Sequence, residues 1–251
     1  MLGDRGPDIV NKIYVIGIGY RPLDERAREV LSRADHILAS NRLFEVFKRY
    51  KEFEEVQEKV RVIHRIDETM EFIRSNFEKR AVVVLGSGDP LFFGIGRRVI
   101  GEFGEKCVEV LPDLSSMQIA FSKIKEPWDD VFAMSLHGGP DPEKRRRLPY
   151  EIGDIPTLLR EHYKIAVLTD RENNPSEIAR RILSAPERSL LKIFVCEKLG
   201  YPDEKITSGK PEEIAGMSFS DPNVVILLNS AKVQKCRGAE EKIILQDADP
   251  L

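Results

Sequence analysis

Apolar runs of strand length alternate with amphipathic segments through the first hundred residues. The runs cover residues 13–16, 36–39 and 81–85. The segment 24–34 between the first two runs carries alanine, valine and leucine at intervals of three and four, which predicts a helix with one apolar face. Strands that alternate with helices in this way predict a largely parallel sheet covered by helices on both faces.

The rest of the chain continues this alternation. Further strands are predicted at 107–111, 131–136, 164–168, 191–196 and 224–228, and helices near 115–124, 154–162 and 175–184. Pro112 ends the strand before it, so we place a domain boundary there. The expected α/β protein has a first domain at 11–112, a second at 113–230, and tails at 1–10 and 231–251.

Several polar residues stand where helices are expected to begin. Asn41 and Asp67 are of the types preferred at helix N-caps, and either Asp113 or Ser115 can cap the helix that follows them. Residues 45–60 are dense in charge, which predicts a solvated helix or loop.

The loop after the third predicted strand, Gly86-Ser87-Gly88-Asp89-Pro90, has two glycines in three residues. Small molecules bind outside the carboxyl ends of strands in α/β sheets, and glycine lets the backbone approach a ligand closely. Pro90 can occupy the first turn of the next helix. The alternative is a turn that merely reverses the chain after a core strand.

The composition is that of an ordinary globular chain. Of 251 residues, 41% are hydrophobic and 32% are charged, enough for one large or two small domains. No apolar run is long enough to span a bilayer and the first ten residues are polar, so we expect a cytoplasmic protein with no membrane partner. The formal net charge of -3 gives no broad basic field, which disfavours nucleic acid as a partner.

Two common site types are disfavoured by the positions of single residues. Gly17-x-Gly19 after the first strand suggests a dinucleotide fingerprint, but the third glycine is replaced by Pro22, and Asp35 precedes the second strand instead of following it. The three cysteines are far apart, and the cysteines and histidines show no metal-ligand spacing.

Three motifs in order resemble one known family. Residues 86–90, with Phe-Phe-Gly-Ile-Gly at 92–96 behind them, are similar to the central motif of the tetrapyrrole methylases. Residues 112–121, and 135–138 after Pro-Trp-Asp-Asp at 127–130, resemble the branch that methylates carbon 5 of the corrin precursor, the precorrin-7 (cobalt-precorrin-7) C5-methyltransferases. The similarity covers nearly the whole chain.

The resemblance implies a two-domain architecture in which each domain is a mixed sheet flanked by helices, with the active site in the cleft between the domains. It implies S-adenosylmethionine as cofactor. The residues that it places at the cofactor are Gly86, Ser87, Gly88, Asp89, Phe92, Ser115, Ser116, Leu168, Thr169, Cys196 and Glu197. Those that it places at the substrate are Gly17, Gly19, Tyr20, His137 and Gly138. Tyr20-Arg21 stands where a Pro-Gly pair is common in the family.

His137 is the candidate catalytic residue, although a lone histidine is more often structural or simply exposed. Its motif suggests contact with the substrate or with the propionates of the substrate. The basic run Lys144 to Arg147 is most simply a solvated loop, and its alternative role is attraction of a substrate with many carboxylates.

By resemblance, the expected reaction is methylation of carbon 5 of precorrin-7 or cobalt-precorrin-7. The sulfonium cofactor supplies the electrophile and the macrocycle supplies the nucleophilic carbon, so the protein needs no metal of its own and chiefly aligns the two. The resemblance also implies a homodimer, and a separate enzyme for methylation at carbon 15 with decarboxylation, because the chain ends too soon to hold that domain. The alternatives are a methylase of the same fold that acts on another ring carbon, on diphthine precursors or on ribosomal RNA, and a non-catalytic tetrapyrrole carrier.

Overall fold

The computed structural model describes residues 12–137, 149–184 and 188–229. The chain divides into two compact units, one ending at Ser115 and the other beginning at Ser116. No helix in the described ranges is both long enough and apolar enough to cross a membrane.

The first unit alternates strands and helices. Its elements are β1 (Ile13–Ile18), α1 (Glu25–Arg33), β2 (His36–Ala39), α2 (Asn41–Phe47), α3 (Phe53–Val56), β3 (Val60–Val62), α4 (Ile66–Asn76), β4 (Val82–Ser87), α5 (Gly96–Phe103) and β5 (Val108–Leu111), with short 3-10 turns at Gln57–Lys59 and Glu105–Cys107. The five strands form one sheet in the order β3-β2-β4-β1-β5, and every pair in it is parallel.

The core of this unit explains why its strands are continuous apolar runs. Every residue of β1 is buried, as expected for a parallel strand with both faces covered. On one face, Ile13 and Val15 pack with Met70 and Ile73 of α4 and with Val99 of α5. The expectation of a largely parallel first sheet is confirmed.

The second unit has a different strand pattern. Its elements are α6 (Ser116–Ile124), β6 (Val131–Ser135), α7 (Ile155–Glu161), β7 (Lys164–Leu168), α8 (Pro175–Ile182), β8 (Leu191–Glu197), β9 (Lys205–Gly209), α9 (Pro211–Ile214) and β10 (Asn223–Asn229), with 3-10 turns at Ile152–Asp154 and Arg188–Leu190. The sheet order is β6-β7-β10-β8-β9. Strands β6 and β7 are parallel, whereas β10 is antiparallel to both β7 and β8. The carboxyl ends of β6, β7 and β8 therefore meet the start of β10 at one edge.

Two predicted helix caps are wrong. The N-cap of α2 is Ser40, whose hydroxyl accepts a hydrogen bond from the backbone of Leu43, and Asn41 is already helical. The N-cap position of α4 belongs to Arg65, and Asp67 lies in the first turn, where the helix dipole favours a carboxylate.

The helix after the glycine-rich loop begins later than predicted. Pro90 is outside α5, because Phe93 takes a left-handed φ of 54° and the amide of Gly96 bonds to the Pro90 carbonyl oxygen across the loop. A Cβ on Gly94 would lie 2.4 Å from the same oxygen, so only glycine permits this tight loop.

Candidate functional site

Three loops emerge at the carboxyl edge of the first sheet. They are the β1 loop (17–21), the glycine loop (86–92) and the β5 loop (112–115). Because β4, β1 and β5 are adjacent parallel strands, the three loops lie side by side at the edge where α/β sheets bind ligands.

The glycine loop is hydrogen-bonded to both of its neighbours. The amide of Gly88 donates to the carbonyl oxygen of Ile18 at 2.9 Å, and the amide of Asp113 donates to the carbonyl oxygen of Gly88 at 3.3 Å. Gly88 itself is buried and has a φ of +57°. These bonds fix the three loops as one structural element.

Glycine is required where these loops cross. A Cβ on Gly17 would lie 1.9 Å from the carbonyl oxygen of Gly88 and 2.6 Å from the amide of Asp113. A Cβ on Gly88 would lie 2.6 Å from the carbonyl oxygen of Leu114. Both glycines therefore serve the packing of the loops upon one another, which is a role separate from any contact with a ligand.

The rest of the glycine loop presents a few polar and aromatic groups. Ser87 is exposed at the end of β4, whereas one oxygen of the Asp89 carboxylate is already bonded to the amide of Leu91 at 2.8 Å. The rings of Phe92 and Phe93 meet edge to face with their centroids 4.9 Å apart. Polar donors and acceptors beside a partly exposed aromatic pair are typical of small-molecule sites.

Of the two alternatives predicted for the cap of α6, Ser115 is the residue directly before the helix, and the side chain of Asp113 is engaged by the β1 loop. Its buried carboxylate accepts hydrogen bonds from the amides of Tyr20 and Arg21 at 2.7 and 3.2 Å and from the Nε of Arg21 at 3.0 Å. Its other contact is with the amide of Leu114. Ser115, which is buried, directly precedes α6.

Tyr50 is a second anchor of the β1 loop. Its phenol oxygen accepts a hydrogen bond from the amide of Gly19 at 2.6 Å. Burial raises the pKa of the Tyr50 phenol above its ordinary value, so the group is neutral at physiological pH. Sequence reasoning gave Tyr50 no role, since it lies in the charge-dense stretch 45–60 and its partner is 31 residues away.

The carboxyl edge of the second sheet gathers a separate set of polar residues. The Nδ1 atom of His137 lies 3.1 Å from the carbonyl oxygen of Thr169, and the amide of His137 donates to the hydroxyl of Ser135. A carbonyl oxygen only accepts, so Nδ1 carries the proton and Nε2 is the acceptor of the neutral ring. The His137 side chain is exposed.

Asn223 links two of the predicted cofactor residues. The Thr169 hydroxyl lies 2.6 Å from the side-chain oxygen of Asn223, and the Asn223 amide group donates to the carbonyl oxygen of Ser220. The amide of Ser220 donates to Oε1 of Glu197 at 2.7 Å. Sequence reasoning did not select Asn223, although a polar residue at the start of an otherwise apolar strand could have drawn attention to it.

Glu197 is the buried acidic side chain of this edge. The residue is only 5% exposed, and its Oε2 atom has no hydrogen-bond partner among the described residues. A buried carboxylate oxygen without a partner is costly, so this atom is an available acceptor for a donor group of a ligand or a water molecule.

The remaining predicted residues are distributed as follows. Cys196 is fully buried, and burial raises the pKa of its thiol to about 12. Leu168 is half-buried and pairs with Val224 of β10. Ser116 begins α6. Gly138 and the Lys144 to Arg147 run lie outside the described residues.

The chemistry of these groups is binding and positioning. In the described parts of the chain, no group of three histidine, cysteine, aspartate or glutamate side chains is arranged to hold a metal ion. The carboxyl edge of each sheet instead supplies hydroxyl groups and carbonyl oxygens, and the edge of the second sheet adds an imidazole and a carboxylate oxygen that has no described partner. Such groups are suited to directional recognition of polar ligands.

Known proteins share this architecture. A solved structure of a cobalamin biosynthesis precorrin-6Y methylase from Archaeoglobus fulgidus superimposes with a TM-score of 0.64 at 21% identity, covering 88% of this chain and 98% of that protein. This likeness confirms the α/β class and the two-domain tetrapyrrole methylase fold.

Similarity in sequence is more specific. A protein of Methanocaldococcus jannaschii described as a probable cobalt-precorrin-7 C(5)-methyltransferase is 30% identical over 214 residues, covering 83% of this chain and 93% of the relative. The cobalt-precorrin-7 C(5)-methyltransferase of Salmonella typhimurium is 32% identical over 127 residues, or 51% of this chain and 56% of the relative. The family model for tetrapyrrole (corrin/porphyrin) methylases matches residues 12–215. The chain therefore belongs to the tetrapyrrole methylases.

Proposed function

We propose that this protein is an S-adenosylmethionine-dependent methyltransferase that methylates carbon 5 of cobalt-precorrin-7 or precorrin-7 during assembly of the corrin ring. The observation that carries the proposal is the similarity to the Methanocaldococcus protein, because it extends over most of both chains and includes both units. The carbon 5 signatures at 112–121 and 135–138 support the same choice of ring position.

The residues present fit such a cofactor. S-adenosylmethionine supplies an activated methyl group, and it carries an amino group, a carboxylate, ribose hydroxyls and an adenine edge that all need directional partners. In the first unit, the exposed hydroxyl of Ser87 and the ring of Phe92 are the candidate contacts. In the second unit, the unpaired Oε2 atom of Glu197 can accept a hydrogen bond from an amino or hydroxyl group.

The contribution of the protein to the reaction is alignment. Methyl transfer to an electron-rich ring carbon needs no protein nucleophile, so the loops have to hold the two reactants in line and exclude water. The β1 loop, with Gly19 and Tyr20, is proposed to contact the corrinoid. The hydrogen bonds that tie this loop to the glycine loop and to the β5 loop supply the rigidity that alignment requires.

His137 is the candidate acceptor of the proton that leaves carbon 5 after methylation. Its Nδ1 atom is engaged by Thr169, so a neutral ring offers Nε2 as the acceptor. An exposed, oriented imidazole is suited either to take this proton or to bind a carboxylate of the substrate.

The wider context of the proposal rests on family resemblance. We propose a cytoplasmic homodimer that performs one methylation and leaves carbon 15 methylation and decarboxylation to a separate enzyme. Cobalt, where present, arrives within the substrate.

The test is turnover with defined corrinoids. Incubation of the full chain with 13C-methyl S-adenosylmethionine and either precorrin-7 or cobalt-precorrin-7 should add one methyl group, detected by mass spectrometry, and NMR should place the label on carbon 5. Label on another carbon would identify a different methylase of this fold. Binding of the corrinoid without methyl transfer would identify a carrier. Calorimetry should show about one molecule of S-adenosylmethionine bound per chain with a dissociation constant in the micromolar range.

A further inference from the structure

We propose that Asp113 is a positioning residue that holds the β1 loop in register with the glycine loop and thereby sets the alignment of the two reactants. The assignment of these loops to substrate and cofactor rests on the proposed function. We call the hydrogen bonds of Asp113 to the two loops the Asp113 clamp, and all of them lie within the first unit.

The carboxylate of Asp113 is saturated by hydrogen bonds. Oδ2 accepts from the amides of Tyr20 and Arg21, and Oδ1 accepts from the Nε of Arg21 and from the amide of Leu114. The side chain is only 5% exposed. Hydrogen bonds to an ionised carboxylate are stronger than neutral ones, and burial increases their electrostatic strength further.

The β1 loop depends on these contacts for its shape. Three successive amides, those of Gly19, Tyr20 and Arg21, donate to side chains from distant parts of the chain, namely Tyr50 and Asp113. Gly19 has a φ of +137°, and no atom lies within 4 Å of the position of a Cβ there. The consecutive amides of Tyr20 and Arg21 share one acceptor, the Oδ2 atom of Asp113.

The backbone of Asp113 makes the second half of the connection. Its amide donates to the carbonyl oxygen of Gly88. The carbonyl oxygen of the next residue, Leu114, lies so close to Gly88 that a Cβ there would be only 2.6 Å away. One residue is thus bonded to the β1 loop through its side chain and to the glycine loop through its backbone. A shift of the side-chain contacts changes the separation of the two loops.

This separation matters because transfer reactions are sensitive to alignment. A displacement of about 1 Å in the bound geometry can cost on the order of a hundredfold in rate. Loss of the Asp113 clamp should therefore reduce the rate of methyl transfer more than it reduces cofactor binding.

The test compares Asp113→Asn with Glu109→Gln. The first variant keeps the shape of the side chain but places an NH2 group against amide donors or the Arg21 guanidinium. The matched control, Glu109→Gln, removes a carboxylate from β5, four residues before Asp113. Glu109 pairs with Arg26 at 2.9 Å and with Lys12 at 3.8 Å, and neither of these partners belongs to the three loops. Both variants lose an ionic interaction of the first unit.

With cobalt-precorrin-7 and S-adenosylmethionine, well below the melting temperature of each protein, Asp113→Asn should lower kcat by about tenfold or more while the dissociation constant of S-adenosylmethionine changes by less than about threefold. Glu109→Gln should keep kcat within about twofold of the wild type. A kcat for Asp113→Asn within the same twofold range, or an equal loss in both variants, would overturn the positioning role.

A second measurement does not need turnover. Hydrogen exchange should be slow at the amides of Tyr20 and Arg21 in the wild type, and faster by about tenfold in Asp113→Asn but not in Glu109→Gln. Unchanged exchange in Asp113→Asn would overturn the inference. A wild-type protein that methylates no corrinoid would contradict the proposed function, and the exchange result would still decide whether Asp113 holds the loop.

Discussion

The imidazole Nδ1 atom of His137 and the backbone carbonyl oxygen of Thr169 lie 3.1 Å apart at the end of two parallel strands. This hydrogen bond defines the tautomer of the ring and orients Nε2. It also joins a residue assigned to the substrate with a residue assigned to the cofactor. His137 and Thr169 therefore belong to the same polar edge of the second sheet.

The first prediction concerns His137. Replacement by alanine should lower kcat/KM for the corrinoid by about ten- to a hundredfold, because a positioned acid or base contributes at least this much. The affinity for S-adenosylmethionine should change by less than about threefold, since only one hydrogen bond to a backbone carbonyl is lost. Steady-state kinetics across the pH range and calorimetry measure the two quantities.

His162→Phe is the control for that experiment. The His162 ring stacks on Phe132 at 4.2 Å in the same unit, and phenylalanine preserves the stacking. This variant should keep wild-type kinetics. If His137→Ala also retains the wild-type pH profile, His137 is only an exposed residue.

The second prediction concerns the unpaired carboxylate oxygen of Glu197. Glutamine can keep the bond from the Ser220 amide, and it replaces the buried oxygen that has no partner by an amide nitrogen that has none either. Because one buried polar group without a partner replaces another, Glu197→Gln should leave the ligand-free protein about as stable as the wild type. It should reduce the rise in melting temperature that S-adenosylmethionine produces.

Glu204→Gln provides the comparison, because both contacts of the Glu204 side chain are made within the protein. Glu204 accepts a hydrogen bond from the amide of Gly200 and pairs with Lys123. This variant should lose stability without ligand and keep the full thermal shift with ligand. An equal thermal shift in Glu197→Gln and the wild type would remove Glu197 from the cofactor site.

The elements that the sequence predicted well are those with strong apolar patterns. Strands β2 and β7 match their predicted bounds, and α1 begins after Asp24, whose carboxylate caps it. Strand β9 was missed because it is an edge strand in which Lys205, Ile206 and Ser208 are exposed. A strand without a buried face gives no apolar alternation.

The site was predictable only in part, for a physical reason. Glycine-rich loops after buried strands are visible in the sequence, so the position of the glycine loop after β4 could be predicted, and its role in cofactor binding stays a prediction. The contacts of Tyr50 with Gly19 and of Asp113 with Tyr20 join residues 31 and 93 positions apart. Such pairs are set by the strand order β4-β1-β5, which local patterns do not encode.

The third prediction concerns the crossing of the loops at Gly88. Alanine at this position combines a φ of +57° with a Cβ 2.6 Å from the carbonyl oxygen of Leu114. Gly88→Ala should destabilise the protein by about 1–3 kcal/mol, and Gly88→Val should cost more. Both should weaken the binding of S-adenosylmethionine, because the glycine loop has to move.

Gly101 supplies the control for denaturation measurements. It lies inside α5, and no atom is within 4 Å of the position of its Cβ. Gly101→Ala should stabilise the protein by about 0.5–1 kcal/mol, because alanine loses less conformational entropy in a helix. If Gly88→Ala behaves like Gly101→Ala, the close contact with Leu114 is absent in solution.

The last prediction concerns the pH dependence of stability near neutrality. His36 begins β2 with its ring edge to face against Phe72 at 5.1 Å. Burial lowers the pKa of His36 below 6.5, and the charges of Arg61 and Arg80 act in the same direction, whereas Asp35 opposes them. In the unfolded chain the pKa of this histidine is about 6.5. Once the pH falls through that value, the unfolded chain binds more protons at this residue than the folded protein does.

The free energy of unfolding should consequently decrease as the pH falls below about 6.5, and the loss should level off below the folded pKa of His36. Above about pH 7.5 this residue should contribute no pH dependence. Urea unfolding between pH 5 and 8 measures the effect as the difference between the wild type and His36→Gln. The exposed His64 serves as the control, since His64→Gln removes an exposed histidine and leaves the partly buried His36 in place. Parallel stability curves for the wild type and His36→Gln would show that the folded protein tolerates the charged ring, and the burial argument for His36 would be wrong.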